Sequence, residues 1–290
     1  MKQCLIMTVG VPGSGKSTWA RAICARKGFV EINRDNLRRE LGKFADNEKV
    51  VSTPGLEAHV TNVHEHRMIS AFILGQTVVC SDTNINPATR ERLEGIAKNY
   101  NVPVFYKHFN VAWDTLVERN KTRPTQDQVP SKVLRDFYNR YREQTFVAYN
   151  RDVTKRDAYI FDVDGTLADH EGLRSPYEWH KVGLDRCIDD VCKMLQLCAL
   201  KADIIIVSGR DGCCIEQTRQ WFREKNLPMN RLFMRPAGNN EKDSIVKYDI
   251  FKKFIEPDYN VLGVFDDRQQ VVDMWRSIGL TCFQCRPGDF

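Results

Sequence analysis

The sequence predicts an α/β protein of two domains, each built on a parallel sheet. Three observations predict it. The chain has 290 residues, which suits about two domains. Residues Gly10-Val11-Pro12-Gly13-Ser14-Gly15-Lys16-Ser17 form a glycine loop between an apolar run, Cys4 to Val9, and a helical segment beginning near Thr18. Further on, a second apolar run, Ala158 to Phe161, ends in Asp162-Val163-Asp164-Gly165-Thr166. Apolar runs that end in polar residues and alternate with helical segments describe parallel sheets in both halves.

Composition excludes other classes. The chain is 42% hydrophobic, ordinary for a globular protein, and has no apolar run of membrane-spanning length. Met1-Lys2-Gln3 leads directly into the first strand, which does not read as a signal peptide. Ten cysteines are scattered, and Cys282 and Cys285 lack a second ligand pair, so free thiols in a reducing cytoplasm are expected instead of zinc or disulfides. The net charge of +5 is uneven: residues 1–150 hold 22 basic and 15 acidic side chains, the remainder 21 and 23. That basic half suits a polyanionic partner.

In the first half, the glycine loop is a phosphate site. Gly13, Ser14 and Gly15 let successive N–H groups face an anion, and the helix start at Ser17 and Thr18 adds partial positive charge. Lys16 is expected on the β- and γ-phosphates of ATP, and the Ser17 hydroxyl on Mg²⁺. A second strand, Phe29 to Ile32, leads to Asp35 and, a helical turn on, Arg38. Asp35 is either a general base for an attacking hydroxyl or a helix N-cap. Glu57 to Gly75 reads as a helix whose His59, His64 and His66 face solvent. Thr77 to Cys80 is a strand ending at Asp82 and Thr83, where Asp82 is either a second acidic residue near Mg²⁺ or a turn cap. A helix follows from Pro87 to about Tyr100, then a strand near Val104 to Tyr106. Arg119 and Arg123 are spaced to share one helical face ahead of Pro124, either as an arginine-bearing lid over ATP or as a plain exposed helix. The whole is a P-loop kinase-type domain, and the polar stretch 150–154 marks its end.

In the second half, paired carboxylates at a strand end suit a hard cation such as Mg²⁺. Downstream, three more apolar runs or helices deliver Ser208 and Arg210, then Lys242-Asp243 with Lys247, then Asp266 and Asp267.

Two resemblances add roles. GVPGSGKSTWAR, INRDNLR, SDTNINP and RNKTRP resemble the kinase domain of the bacteriophage 5′-polynucleotide kinases. The resemblance implies that Lys16, Ser17, Arg123 and Arg119 serve ATP, that Asp35 is the general base, and that Arg38, Asp82 and Thr83 serve the acceptor. The motif D-x-D-G-T with its three followers resembles the haloacid-dehalogenase superfamily, which implies a Rossmann-like phosphatase domain. There Asp162 would be the nucleophile, Asp164 the acid and base, Ser208 a phosphoryl contact and Lys247 the neutralising cation. Asp162, Asp164, Asp266 and Asp267 would hold Mg²⁺, and Arg174, Arg210 and Asp243 would support the substrate. Only a modest insert separates Asp162 from Asp185, so the cap is small and the site open.

In this order, residues 1–150 and 151–290 resemble the phage-type bifunctional polynucleotide kinase 3′-phosphatases, through to the terminal Gly288-Asp289-Phe290. That resemblance implies end healing of DNA or RNA before a ligase acts. A 5′-phosphate is added from ATP and a 3′-phosphate, with 2′,3′-cyclic phosphate as a further candidate, is removed. It also implies a homotetramer in the cytoplasm, away from membranes. Pro124 and the segment from Leu41 to Thr61 depart from the family pattern. The competing reading is a bifunctional small-molecule kinase and phosphatase acting on a nucleoside or sugar.

Overall fold

A computed structural model describes residues 2–45 and 48–288. The terminal Asp289-Phe290 of the family motif lies outside the described residues. The chain divides into two compact units, Met1–Tyr141 and Arg142–Phe290. The division precedes the polar stretch 150–154 because Phe146 and Tyr149 pack against the core of the second unit.

The first unit runs β1 (Leu5–Val9), α1 (Lys16–Lys27), β2 (Val30–Ile32), α2 (Arg34–Gly42), α3 (Pro54–Ile73), β3 (Val78–Cys80), α4 (Pro87–Asn99), β4 (Val104–His108), α5 (Trp113–Lys121) and α6 (Ser131–Glu143). Its four strands are parallel in the order β2-β3-β1-β4. β3 is apolar throughout and β1 is apolar but for the buried Thr8, and both lie in the interior, as both faces of a parallel sheet are covered. Leu5, Met7, Val78 and Cys80 join Val60, Met68 and Phe72 of α3 in one cluster, and Val9, Val11, Leu116 and Tyr138 form a second. Helix boundaries follow local chemistry. The Thr53 side chain caps α3 and Asn86 caps α4, and each helix has a proline in its first turn, where no intrahelical N–H is lost.

The second unit runs β5 (Arg156–Phe161), β6 (Ala168–Asp169), β7 (Arg186–Cys187), α7 (Asp189–Ala199), β8 (Asp203–Asp211), α8 (Ile215–Glu224), β9 (Arg231–Arg235), α9 (Asp243–Ile250), β10 (Tyr259–Arg268), α10 (Gln269–Ser277) and β11 (Cys282–Gly288). Its five strands are also parallel, in the order β11-β10-β5-β8-β9. The insert after β5 is small: the antiparallel pair β6–β7 and a 3₁₀ segment, Trp179–Leu184. In both sheets the chain leaves a central strand, β1 or β5, and its later strands fall on either side of it. Such a crossing point opens a crevice at the carboxyl ends of the strands.

All ten cysteines are free, as expected, with Cys4, Cys80, Cys192, Cys214 and Cys282 buried. Among the described residues no helix is long and apolar enough to cross a membrane.

Candidate active sites

In the first unit the loop after β1 closes on its own lysine. Gly13 (φ 83°) and Gly15 (φ 98°) adopt left-handed backbone, which a Cβ would disfavour. Gly15 is thereby the N-cap of α1, and no side chain takes that position. The buried Lys16 ammonium donates to the Val11 carbonyl at 2.7 Å and approaches Ser14 Oγ at 3.4 Å. Burial first, then the neighbouring Arg123, lowers its pKa to about 8, against the opposing pull of Asp82 and Asp35. Charges from three further segments thus act on Lys16. Ser17 is half-buried and Thr18 exposed in the first turn of α1.

Asp35 is not the cap of α2. Asn33 is, accepting from the N–H groups of Asp35 and Asn36 at 2.9 and 3.1 Å. The Asp35 side chain is 82% exposed, and its ion-pair partner is Arg38 at 2.5 Å. Arg38 in turn forks onto Glu57 of α3, Nε to Oε1 at 2.7 Å and Nη2 to Oε2 at 3.0 Å. This pairing, with Arg34 and Ser52 adding to it, lowers the Glu57 pKa to about 2.

Asp82 stands where β3 ends. Its Oδ1 accepts the Arg34 N–H at 2.8 Å, tying β3 to the start of α2, and its Oδ2 meets His64 Nε2 at 3.1 Å. His64 is therefore buried, contrary to the expectation for this helix, whereas His59 and His66 are exposed as expected. The exception arises because α3 packs its His64 face on β3, where the imidazole finds Asp82 and the Cys80 thiol. His64, Cys80 and Asp82 also lie close enough to one another to hold a metal ion. The Thr83 carbonyl accepts the Gly10 N–H at 3.0 Å, tethering the glycine loop.

Arg119 Nη1 reaches the Gly13 carbonyl at 3.3 Å. Arg123 does not share its helical face. α5 ends at Lys121, with Thr122 as its C-cap, because the residue before Pro124 is excluded from helical backbone.

In the second unit a single ammonium organises the site. Lys247 is fully buried on α9, 3.1 Å from Asp162 Oδ2, 2.9 Å from Asp266 Oδ2 and 3.7 Å from Asp243 Oδ2. A buried cation requires such partners. Desolvation lowers its pKa, but the three carboxylates outweigh that and hold it well above the ordinary lysine value. Burial and the adjacent Asp266 and Asp267 raise Asp162, with Lys247 opposing. Burial, then Asp266, raises Asp267 to about 6. Oxygens of Asp162, Asp266 and Asp267 lie within 4.8 Å of one another, and Asp162 Oδ1 is buried with no hydrogen-bond partner. Three hard oxygen donors with one orphaned oxygen fit a divalent cation.

The Asp164 side chain is not in that cluster. After β5 the chain turns at Gly165 (φ 78°), and the Asp164 carboxylate meets two arginines. Arg210 forks onto it through Nε and Nη2, both at 2.8 Å, and Arg174 Nη2 donates at 3.0 Å. Burial raises the Asp164 pKa, but Arg210 and then Arg174 outweigh it and hold it below the usual carboxylate value. Both arginines also pair with Asp185, itself fully buried, at 2.7 Å from Arg174 Nε and 2.5 Å from Arg210 Nη2. Ser208 is buried at the end of β8, its Oγ accepting the Arg210 N–H at 3.2 Å. Asp243 is held by Arg235 at 3.0 Å.

Residues 156–290 match the family model of the polynucleotide kinase PNKP phosphatase domain. That match spans nearly the whole of the second unit. Residues 5–144 match an AAA domain model, in keeping with a P-loop kinase-like first unit. The chain is 31% identical over 291 residues to a protein of Autographa californica nuclear polyhedrosis virus named as a bifunctional polynucleotide kinase/RNA ligase. That alignment covers 96% of this chain and 41% of the relative, so the chain spans less than half of the relative's length. Among solved structures, it is similar to a chain of the Pnkp1/Rnl/Hen1 complex (29% identity, 99% of this chain and 98% of that chain, TM-score 0.48). A second structure, of the Pnkp1/Rnl/Hen1 RNA repair complex, gives 28% identity over 99% and 97% of the two chains, with a TM-score of 0.49.

Proposed function

We propose that the chain heals broken nucleic-acid ends. Residues 1–150 would transfer the γ-phosphate of ATP to a 5′-hydroxyl, and residues 151–290 would hydrolyse a 3′-phosphate. The observation that carries the reading is Asp162, whose orphaned Oδ1 faces a carboxylate cluster while Lys247 holds its other oxygen. Phosphoryl chemistry at a carboxylate needs just this: a nucleophile, a fixed cation beside it and donors for a metal.

In the kinase half, Gly13, Ser14, Gly15, Lys16, Ser17 and Thr18 would cradle ATP, with Arg119 and Arg123 beside the transferred group. Asp35, exposed and free of backbone duties, would take the proton of the acceptor hydroxyl as its oxygen attacks the γ-phosphorus and the bond to the departing ADP breaks. Arg38 holds Asp35 and is itself held by Glu57, so it would bind an acceptor phosphate from a fixed position, near Asp82 and Thr83.

In the phosphatase half, Asp162 would attack phosphorus as the bond to the 3′-oxygen breaks, and Asp164 would protonate that oxygen. Water would then attack the aspartyl-phosphate, breaking the bond from phosphorus to Asp162 and releasing inorganic phosphate, with Asp164 accepting the water's proton. Arg210 and Arg174 hold Asp164 ionised without substrate. A dianionic phosphate that draws off these guanidinium groups would raise its proton affinity, preparing it as an acid. Ser208 would contact the phosphoryl oxygens, and Asp243 would keep Lys247 in place. Asp162, Asp266 and Asp267 would hold Mg²⁺, which supplies charge neutralisation at the phosphoryl oxygens. Ser17 would hold the kinase Mg²⁺.

The viral relative's name pairs a kinase with an RNA ligase, which supports a place for this chain ahead of ligation. Resemblance to the phage enzymes further supports a cytoplasmic homotetramer. The test is direct: incubate the protein with ATP, Mg²⁺ and an oligonucleotide bearing a 5′-hydroxyl and a 3′-phosphate, and resolve both ends. Gain of the 5′-phosphate and loss of the 3′-phosphate are expected. Activity on free nucleosides or sugars but not on the oligonucleotide would favour the small-molecule reading instead.

A further inference from the structure

The insert between β6 and β7 carries an aromatic pair that the phosphatase chemistry does not use. Tyr177 is 81% exposed. Its ring meets Trp179 edge-on, centroids 6.1 Å apart at 88°, an arrangement that orients the tyrosine and leaves it open to solvent. Single exposed aromatic residues are common on protein surfaces and need no function. This one differs in what holds it. The Arg174 side chain, 1% exposed, donates from Nη1 to the carbonyls of Ser175 and Pro176, both at 3.2 Å, while its Nη2 holds Asp164 at 3.0 Å. The Ser175 N–H donates to Glu178 Oε2 at 2.8 Å, closing the loop around Tyr177. One guanidinium therefore fixes both the acid-base carboxylate and the peptide preceding Tyr177. The path through that guanidinium bounds the separation of the Tyr177 backbone and the Asp164 carboxylate at no more than about 10 Å. That span suits a nucleotide whose phosphate is at the carboxylates and whose base lies outward.

We propose that Tyr177, oriented by Trp179, is the stacking platform for the nucleobase of the 3′-terminal nucleotide. The inference rests on the 3′-phosphatase reading and adds to it a base subsite. Aromatic faces stack on every base, so such a platform would grip polynucleotide ends with little sequence preference. A ring on a pinned loop loses little freedom on binding, which keeps that contact effective.

Two measurements test it. The first uses an oligonucleotide with 2-aminopurine at its 3′-phosphorylated terminus, titrated with protein in EDTA so that no turnover intervenes. Wild type is expected to quench the fluorescence, Tyr177→Phe to quench it similarly, and Tyr177→Ala to bind at least about fivefold more weakly without that quench. The second measures hydrolysis with Mg²⁺. Tyr177→Ala is expected to raise KM for the 3′-phosphorylated oligonucleotide by a similar factor. Its rates on p-nitrophenyl phosphate and on an oligonucleotide with an abasic 3′-terminal nucleotide should match wild type. Equal losses on the abasic and the normal substrate, or an unchanged quench in Tyr177→Ala, would overturn the platform while leaving the phosphatase reading intact. No hydrolysis of any 3′-phosphate by wild type would overturn both.

Discussion

Replacing Gly165 with alanine isolates the geometry on which the phosphatase site depends. Gly165 has φ 78°, and a Cβ built there would lie 2.1 Å from Asp267 Oδ2. Ordinary contact begins at 3.4 Å, so the carboxylate must retreat by about 1.3 Å or the turn must deform. The left-handed backbone alone costs an L-residue about 1–2 kcal/mol. The retreat removes an oxygen from the Asp162, Asp266 and Asp267 cluster. Disturbing metal-site positioning costs about 10–100-fold in metal affinity. Gly165→Ala is therefore expected to raise the Mg²⁺ concentration for half-maximal 3′-phosphate release by at least about tenfold. It should also lower unfolding free energy in urea by about 1–2 kcal/mol, while 5′ phosphorylation in the same sample is retained. Mg²⁺ half-saturation within twofold of wild type would refute the reasoning, because Asp267 would then be unnecessary to the metal or free to move without loss.

Three further outcomes are expected. Asp35→Ala should abolish 5′ phosphorylation yet keep ATP affinity, measured by calorimetry, since its counter-ion is Arg38 and Asn33 already caps the helix; a large loss of ATP affinity would contradict this. Lys16 has its pKa lowered to about 8 by burial and Arg123, and bound phosphates favour its charged form. Nucleotide affinity should therefore fall as pH rises through about 8, with proton uptake on binding seen as a buffer-dependent heat. The same shift makes the unliganded fold gain stability as pH rises from about 8 towards 10.5, where the unfolded chain still binds the proton. Asp164→Asn should slow release of a nucleoside hydroxyl far more than release of p-nitrophenol, which needs little protonation; equal slowing of both would argue against the acid role.

Much of this architecture could be read from local pattern. A glycine loop between an apolar strand and a helix, and acids directly after apolar runs, are short-range signals, and the strands ending at Val9, Phe161 and Arg268 obey them. Partners brought in by the fold were not legible. Asp185 lies within the insert, just before β7, and meets Arg174 and Arg210 only once β6, β7 and β8 are assembled. Glu57 and His64 sit on α3, where a heptad-like spacing could have put them on one face, but nothing in the sequence indicates that this face meets Arg38 and Asp82. Arg235 ends β9 and Asp243 begins α9, and nothing in the eight-residue spacing indicates that the connection folds back to pair them. Arg123 shows the opposite failure. Its spacing from Arg119 reads as helical, but the following proline determines its backbone.

On the proposed function, one chain holds two independent phosphoryl sites, centred on Lys16 and Asp162. The measurement that tests it most directly uses one oligonucleotide with a 5′-hydroxyl and a 3′-phosphate, given to Lys16→Ala, to Asp162→Asn, and to an equal mixture of both. Lys16→Ala should heal only the 3′ end, Asp162→Asn only the 5′ end, and the mixture both. Loss of both reactions in either folded variant, or retention of the 3′ reaction in Asp162→Asn, would contradict the account.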